Sequence, residues 1–141
     1  MGELRRDPVA GRWVIVDTDH PANPKDFHYE QNAYKGGVCP FCYGNEGMTP
    51  PEIECFREQG TSANSPGWQV RVVANKFPAL QIEGDLDRRP LGLYDMSNGI
   101  GAHEVIIESP YHAKDIPDLL PREIENYIKM CRNRAYDLAK D

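Results

Sequence analysis

The stretch "WQVRVVAN", Trp68 to Asn75, decides the fold class. Aromatic and β-branched residues dominate it, and the turn-rich "GTSANSPG" (Gly60 to Gly67) leads straight into it. It therefore reads as a β-strand with Trp68, Val70 and Val72 on one face. Working outward, "AHEVIIE" (Ala102 to Glu108) is a second run of this kind. In "EIECFRE" (Glu52 to Glu58), Ile53 and Cys55 alternate with Glu52, Glu54 and Phe56, which suits a strand leaving the double proline Pro50-Pro51. A helix is the alternative over so short a segment. Near the N-terminus, "ELRRDPVAGRWVIVD" (Glu3 to Asp17) reads as two short strands around a turn supplied by Asp7-Pro8 and Gly11.

The connections are as informative as the strands. Thr18 to Val38 is rich in Pro, Asn and Gly without periodicity and reads as a loop running toward a pair of cysteines. Lys76 to Gly101 holds several glycines and prolines and reads as a long ordered loop. Beyond "SPYH" the period changes. Pro121 suits the first turn of a helix, Glu123 and Glu125 suit its N-terminal dipole, and Ile124, Ile128, Cys131, Ala135 and Leu138 recur at helical spacing. Strands first and a long helix last imply an α+β fold with an antiparallel sheet. The helical pattern meets no glycine cap or breaker before Asp141, so the expectation is an incomplete domain.

Composition narrows the partners. The chain has 141 residues, one domain by length, and is 40% hydrophobic, enough for a core. With 22 acidic against 16 basic residues the net charge is -6, so no overall field attracts a nucleic-acid backbone. The pairs Arg5-Arg6 and Arg88-Arg89 are too short for a basic patch and read as solvated surface. No apolar run approaches the roughly 20 residues that span a bilayer, and the N-terminal segment carries charge throughout, so no signal peptide is expected. The expectation is a cytoplasmic protein with neither membrane nor nucleic acid as partner.

Chemistry concentrates in "CPFCYGNEGMTPPE", Cys39 to Glu52. A thioredoxin-like dithiol requires a helix directly after the pair, and "YGNEGMTPP" does not begin one. A metal reading fits better, because two thiolates on a tight turn occupy two corners of a tetrahedron. Cys55 and Cys131 stand singly in apolar patterns and read as small core residues, so further ligands fall to histidine. His112, just past a strand, and His103, at its start, both qualify, with ordinary surface or hydrogen-bonded histidines as the alternative. His20 and His28 lie in the loop before the cysteines.

Taken together, "LRRDPVAGRWVIV", "CPFCYGNE", "TPPEI", "VRVVANKFPAL", "GAHEVIIESPYH" and "LPREIENY" resemble, in this order, the galactose-1-phosphate uridylyltransferase family of the histidine-triad superfamily. The resemblance spans nearly the whole chain. It implies a histidine-triad-like antiparallel sheet with a C-terminal helix packed on it, and residues 1–141 as the N-terminal part of such a domain. The implied activity is exchange of a uridylyl group between a UDP-sugar and galactose 1-phosphate through a covalent histidine intermediate. The physical logic is nucleophilic catalysis, one difficult displacement split into two.

The resemblance further implies structural zinc held by Cys39, Cys42 and His112, and nucleotide contacts from Asn75, Phe77, Phe41 and Met48. For Phe41 and Phe77 core packing is the alternative. It also implies a homodimer when complete, with a nucleotide sugar and a hexose 1-phosphate as partners. The family's His-Pro-His segment, which carries the nucleophile and a fourth ligand, does not occur among these residues, so no catalytic residue is assigned. His20 and Asn23 stand where family members commonly carry phosphate-binding arginines. That departure keeps two alternatives open, an enzyme moving adenylyl from an ADP-sugar to phosphate, and a non-catalytic zinc- or nucleotide-binding module.

Overall fold

The computed structural model describes residues 2–19, 21–27, 37–112 and 114–140. Two compact units make up the chain, one from Met1–Gly36 with Phe77–His103, the other from Gly37–Lys76 with Glu104–Asp141.

In the first unit, β1 (Glu3–Arg6) and β2 (Trp13–Val16) form the expected antiparallel hairpin, with Glu3 opposite Val16 and Arg6 opposite Trp13. The turn residues close it as their chemistry dictates. The Asp7 amide donates to the Arg12 carbonyl and the Gly11 amide to the Asp7 carbonyl, both at 2.8 Å, and the Val9 amide donates to Asp7 Oδ1 at 2.9 Å. Gly11 has φ 69, a conformation glycine adopts without strain.

Lys76 to Gly101 is not one long loop. It contains β5 (Arg89–Leu91) and β6 (Tyr94–Asn98), which complete an antiparallel sheet of order β2-β1-β6-β5. Gly92, at φ 62, and Leu93 make a two-residue hairpin connection, which only a glycine in first place allows at low cost. Pro90 argued against a strand, but β5 lies at the sheet edge, where a missing amide donor is tolerated. The remaining segment is the ordered loop expected, pinned by the Gln81 amide on the Gly99 carbonyl at 2.8 Å and the Asn98 amide on the Leu86 carbonyl at 2.7 Å. Between Thr18 and Val38, Pro24–Phe27 forms a short 3-10 turn, while residues 20 and 28–36, including His20 and His28, lie outside the described residues.

The second unit holds β3 (Glu52–Arg57), β4 (Trp68–Ala74) and β7 (Glu104–Ile107) in antiparallel order β3-β4-β7, with α1 (Pro121–Leu138) packed on the sheet. Two register breaks between β3 and β4 rearrange the faces read from the sequence. Glu52 pairs with Val73 but Glu54 with Val72, so Ile53 bulges outward and is 46% exposed. Phe56 pairs with Val70 but Arg57 with Trp68, so Gln69 is the extra residue and Trp68 turns to the face opposite Val70 and Val72. Strict alternation in "EIECFRE" and a common face for Trp68, Val70 and Val72 are therefore both corrected.

Each face of β4 is covered. Val70 and Val72 meet Met130 of α1 with Phe56 and Ile106, whereas Trp68, Val73 and Ile107 gather Cys55 and Val105 on the other side. Cys55 is thus the packing residue expected, and burial, with Glu52's charge adding to it, pushes its thiol up to about 11.

The helix begins at Pro121, and the Glu123 carboxylate reaches back to accept from the Leu120 amide at 2.7 Å. Its buried face differs from the apolar count. Met130 and Arg134 are buried, while Ile128 is 58% and Leu138 38% exposed. Arg134 causes this, because its Nε and Nη2 both donate to Glu104 of β7 at 2.8 Å, and Nη1 donates to Asp137 at 2.8 Å. Donating those hydrogen bonds to Glu104 holds the guanidinium's pKa well above its usual value. The helix ends at Leu138, short of Asp141. Among the described residues no helix is long and apolar enough to cross a membrane.

Candidate metal centre

The turn at Cys39 is built by its own backbone. The Cys42 amide donates to the Cys39 carbonyl at 3.3 Å, the Asn45 amide to the Cys42 carbonyl at 3.0 Å, and Asn45 Nδ2 to the Cys39 carbonyl at 2.8 Å. Gly44, at φ 89, takes the left-handed conformation that lets the chain double back. The Tyr43 amide then donates to the Pro110 carbonyl at 3.2 Å, tying the turn to the segment that carries His112.

This stitching brings a sulfur and an imidazole together across 70 positions of sequence, with Cys42 Sγ 3.4 Å from His112 Nδ1. The ligand atoms of Cys39, Cys42 and His112 all lie within 4.8 Å of one another. Around a tetrahedral zinc with Zn–S near 2.3 Å and Zn–N near 2.0 Å, neighbouring ligand atoms stand roughly 3.5 to 3.8 Å apart, so the geometry fits such an ion. Among the described residues this is the one group of three or more metal-ligating side chains so placed.

The electrostatics agree with the fit. Burial, then the hydrogen bond and charge of Cys39, raise the Cys42 thiol above its ordinary value, and His112 pulls it the other way. A cation between the sulfurs reverses this balance, because a coordinated thiol is deprotonated outright. His103, the other candidate from the sequence, belongs to the first unit, where its Nδ1 accepts from the Ala79 amide at 3.0 Å, and it is not part of the group.

A cleft of about 260 Å³ opens beside the three ligands, with Phe41, Val105 and Asp115 also on its walls. Of the four residues expected to touch a nucleotide, Phe41 is on this cleft, 41% exposed. Met48 ends the 3-10 turn Glu46–Met48 and is 53% exposed, Asn75 follows β4 half-buried, and neither lines the cleft. Phe77 lies in the first unit at 82% exposure, which removes the core-packing alternative for it.

A polar network under the turn escaped sequence reasoning. Arg71 is 1% exposed, yet its guanidinium donates from Nη1 to Thr49 Oγ1 at 2.8 Å and from Nη2 to Asn64 Oδ1 at 3.2 Å, and Nε lies 3.4 Å from Glu52. Arg57 Nη2 donates to both oxygens of Glu52 at 2.7 and 2.6 Å. Glu46, 5% exposed, accepts at Oε1 from Trp68 Nε1 at 2.7 Å and from the Gly44 amide at 3.1 Å. The signal was an arginine in the middle of an apolar strand, since a buried charge requires partners. Which residues those partners are leaves no mark in the sequence, since Glu52, Thr49 and Asn64 stand 19, 22 and 7 positions away from Arg71.

A small antiparallel sheet with one helix on its face and a Cys-x-x-Cys turn beside a histidine defines the class, that of the galactose-1-phosphate uridylyltransferase-like folds. Comparison with known proteins agrees. The chain is 35% identical over 143 aligned residues to an ADP-glucose phosphorylase of Arabidopsis thaliana, covering 98% of this chain and 39% of that protein. The crystal structure of an Arabidopsis thaliana ADP-glucose phosphorylase with bound ADP-glucose matches with a TM-score of 0.55 at 29% identity, over 100% of this chain and 39% of that one. A uridylyltransferase-like protein of the same plant matches with a TM-score of 0.56 at 32% identity, over 98% and 36%. A uridylyltransferase at 21% identity shares the fold, with a TM-score of 0.57 over 96% and 34%. No protein-family model matches the chain. Its homologues lie in the galactose-1-phosphate uridylyltransferase family of the histidine-triad superfamily, and the chain spans about two fifths of their length, 39% of the ADP-glucose phosphorylase.

Proposed function

We propose that this chain is the N-terminal part of a nucleotidyltransferase that moves adenylyl from an ADP-sugar to phosphate, with Cys39, Cys42 and His112 holding a structural zinc. The observation that carries the donor is the 35% identity, over 98% of this chain, to an ADP-glucose phosphorylase. Asn23, at a position where uridylyltransferases of the family commonly carry an arginine, keeps the ADP-sugar alternative open without choosing between the donors. This choice of donor reverses the order of preference drawn from the sequence, which put uridylyl exchange between a UDP-sugar and galactose 1-phosphate first. Uridylyl exchange remains the second reading, favoured by the likeness to a uridylyltransferase-like protein at 32% identity.

In either case a histidine beyond these residues attacks the α-phosphorus, the bond to the bridging oxygen breaks and the sugar 1-phosphate leaves, and the nucleotidyl group stays on the histidine until an acceptor phosphate oxygen displaces it. Cys39, Cys42 and His112 would hold a zinc ion, which would brace the turn and the segment before the helix against each other, its fourth position falling to a ligand outside these residues. Within the second unit, Phe41 and Met48 are proposed to contact the base and Asn75 to line the nucleotide pocket. The protein works in the cytoplasm as a homodimer on this proposal.

The full-length protein, incubated separately with ADP-glucose and UDP-glucose carrying label in the α-phosphate, distinguishes the readings. The expected result is a covalent adenylyl adduct that phosphate discharges as ADP. A uridylyl adduct discharged by galactose 1-phosphate selects the second reading. No adduct with either donor, in protein that retains its fold, leaves a non-catalytic binding module.

A further inference from the structure

The turn that carries two of the three ligands is held by more than the ligands themselves. Asn45 and the backbone bonds close it internally, but an isolated knuckle of this length is held only by local contacts. Glu46 anchors it to the sheet, its carboxylate gripping the turn through the Gly44 amide and the buried face of β4 through Trp68 Nε1. The backbone of Glu46 is fixed as well, its carbonyl accepting from Thr49 Oγ1 at 3.0 Å and from Arg71 Nη2 at 3.4 Å. Trp68 and Arg71 are 3% and 1% exposed, so the anchor is set in the least mobile part of the unit.

We infer that Glu46 is a positioning residue for the metal centre, setting the spacing of the Cys39 and Cys42 thiolates by fixing the Gly44 end of their turn. The inference rests on the proposed zinc site. Side chains that orient ligands without touching the metal commonly change metal affinity by about 10- to 100-fold when removed. Glu46 meets the structural requirement, being buried, doubly hydrogen-bonded at one oxygen, and held by the sheet rather than by solvent. Arg57 offers an internal control. It belongs to the same buried face through Glu52, but its hydrogen bonds run to Glu52, Thr61, Ser62 and Ser65 and not to the turn.

The test compares zinc affinity, by competition with a chromophoric chelator, and the visible absorption of the cobalt-substituted protein, which reports ligand geometry. Wild type, Glu46→Ala, Glu46→Met, Glu46→Gln and Arg57→Ala are measured together. Glu46→Met fills the site without an acceptor, so it carries the test if the alanine variant does not fold. Expected are a 10- to 100-fold loss of affinity with an altered cobalt spectrum in Glu46→Ala and Glu46→Met, and near-wild-type behaviour in Glu46→Gln, which keeps an acceptor oxygen. Arg57→Ala should lower Tm while leaving affinity and spectrum unchanged. Wild-type affinity and spectrum in Glu46→Ala and Glu46→Met overturn the inference and leave the zinc site standing, as does an equal affinity loss in Arg57→Ala. Wild-type protein that binds neither metal overturns the zinc site itself.

Discussion

Arg71 and Glu46 set a cost that single residues impose on this unit. Both are charged groups removed from water, and each is stable only because its partners arrive from elsewhere in the chain, Thr49 and Asn64 for the guanidinium, Trp68 for the carboxylate. The three ligands of the metal centre follow the same logic with a different partner. Two thiols and an imidazole held within 4.8 Å offer no mutual compensation comparable to that of a divalent cation. Mass spectrometry of purified protein should therefore find about one zinc per chain, and Cys39→Ser or His112→Ala should each lose it. Retention of full zinc in the His112→Ala protein would remove that residue from the ligand set.

At the level of elements, the helix and β4 make the packing that the bulges permit. Met130 is fully buried against Val70 and Val72, whereas Ile128, which has the better apolar pattern, is 58% exposed. Truncating Met130 to alanine should cost about 2–5 kcal/mol of unfolding free energy, while Ile128→Ala should stay within about 0.5 kcal/mol. Denaturant melts of the two variants check this, and equal losses would restore the face read from apolar spacing. The strands of "WQVRVVAN" and "AHEVIIE", the hairpin and the helix were all legible, because each carries the period of its own element. The pair β5 and β6 was not, since Pro90 and Gly92 look like loop residues unless the edge position and the two-residue turn are already known. The metal ligands were legible as residue types from Cys39 and Cys42 alone. Residue pattern alone left His112 and His103 both open, the family resemblance implied His112, and the Tyr43 to Pro110 bond that folds one segment onto the other is how His112 reaches the cysteines.

For the whole molecule, net charge and paired carboxylates set the response to pH. Burial would raise the Glu46 carboxyl, but the hydrogen bonds from Trp68 and the Gly44 amide, with Arg71's charge, outweigh it and hold it below the usual carboxylate value. Glu123, through the Leu120 amide and Lys114, and Asp137, through Arg134 and Lys140, are lowered too. A carboxyl held low in the folded state binds fewer protons there than when unfolded. Its contribution is full above the unfolded value and is lost as pH falls through the folded one. Thermal melts should thus be flat from about pH 7 to about pH 5 and fall steeply below about pH 4, and Glu46→Gln should soften that fall. A Tm independent of pH down to about pH 3 would contradict the assignment. What the sequence by itself determined is every strand but β5 and β6, the helix, the α+β class, the cysteine turn and the family resemblance, because turn chemistry, hydrophobic period and motif order are local and additive along the chain. What only the tertiary structure decided is which side chains of β3, β4 and the helix share a face. Two one-residue bulges and one ion pair, Arg134 with Glu104, invert those assignments, and their energies depend on contacts between residues far apart in sequence.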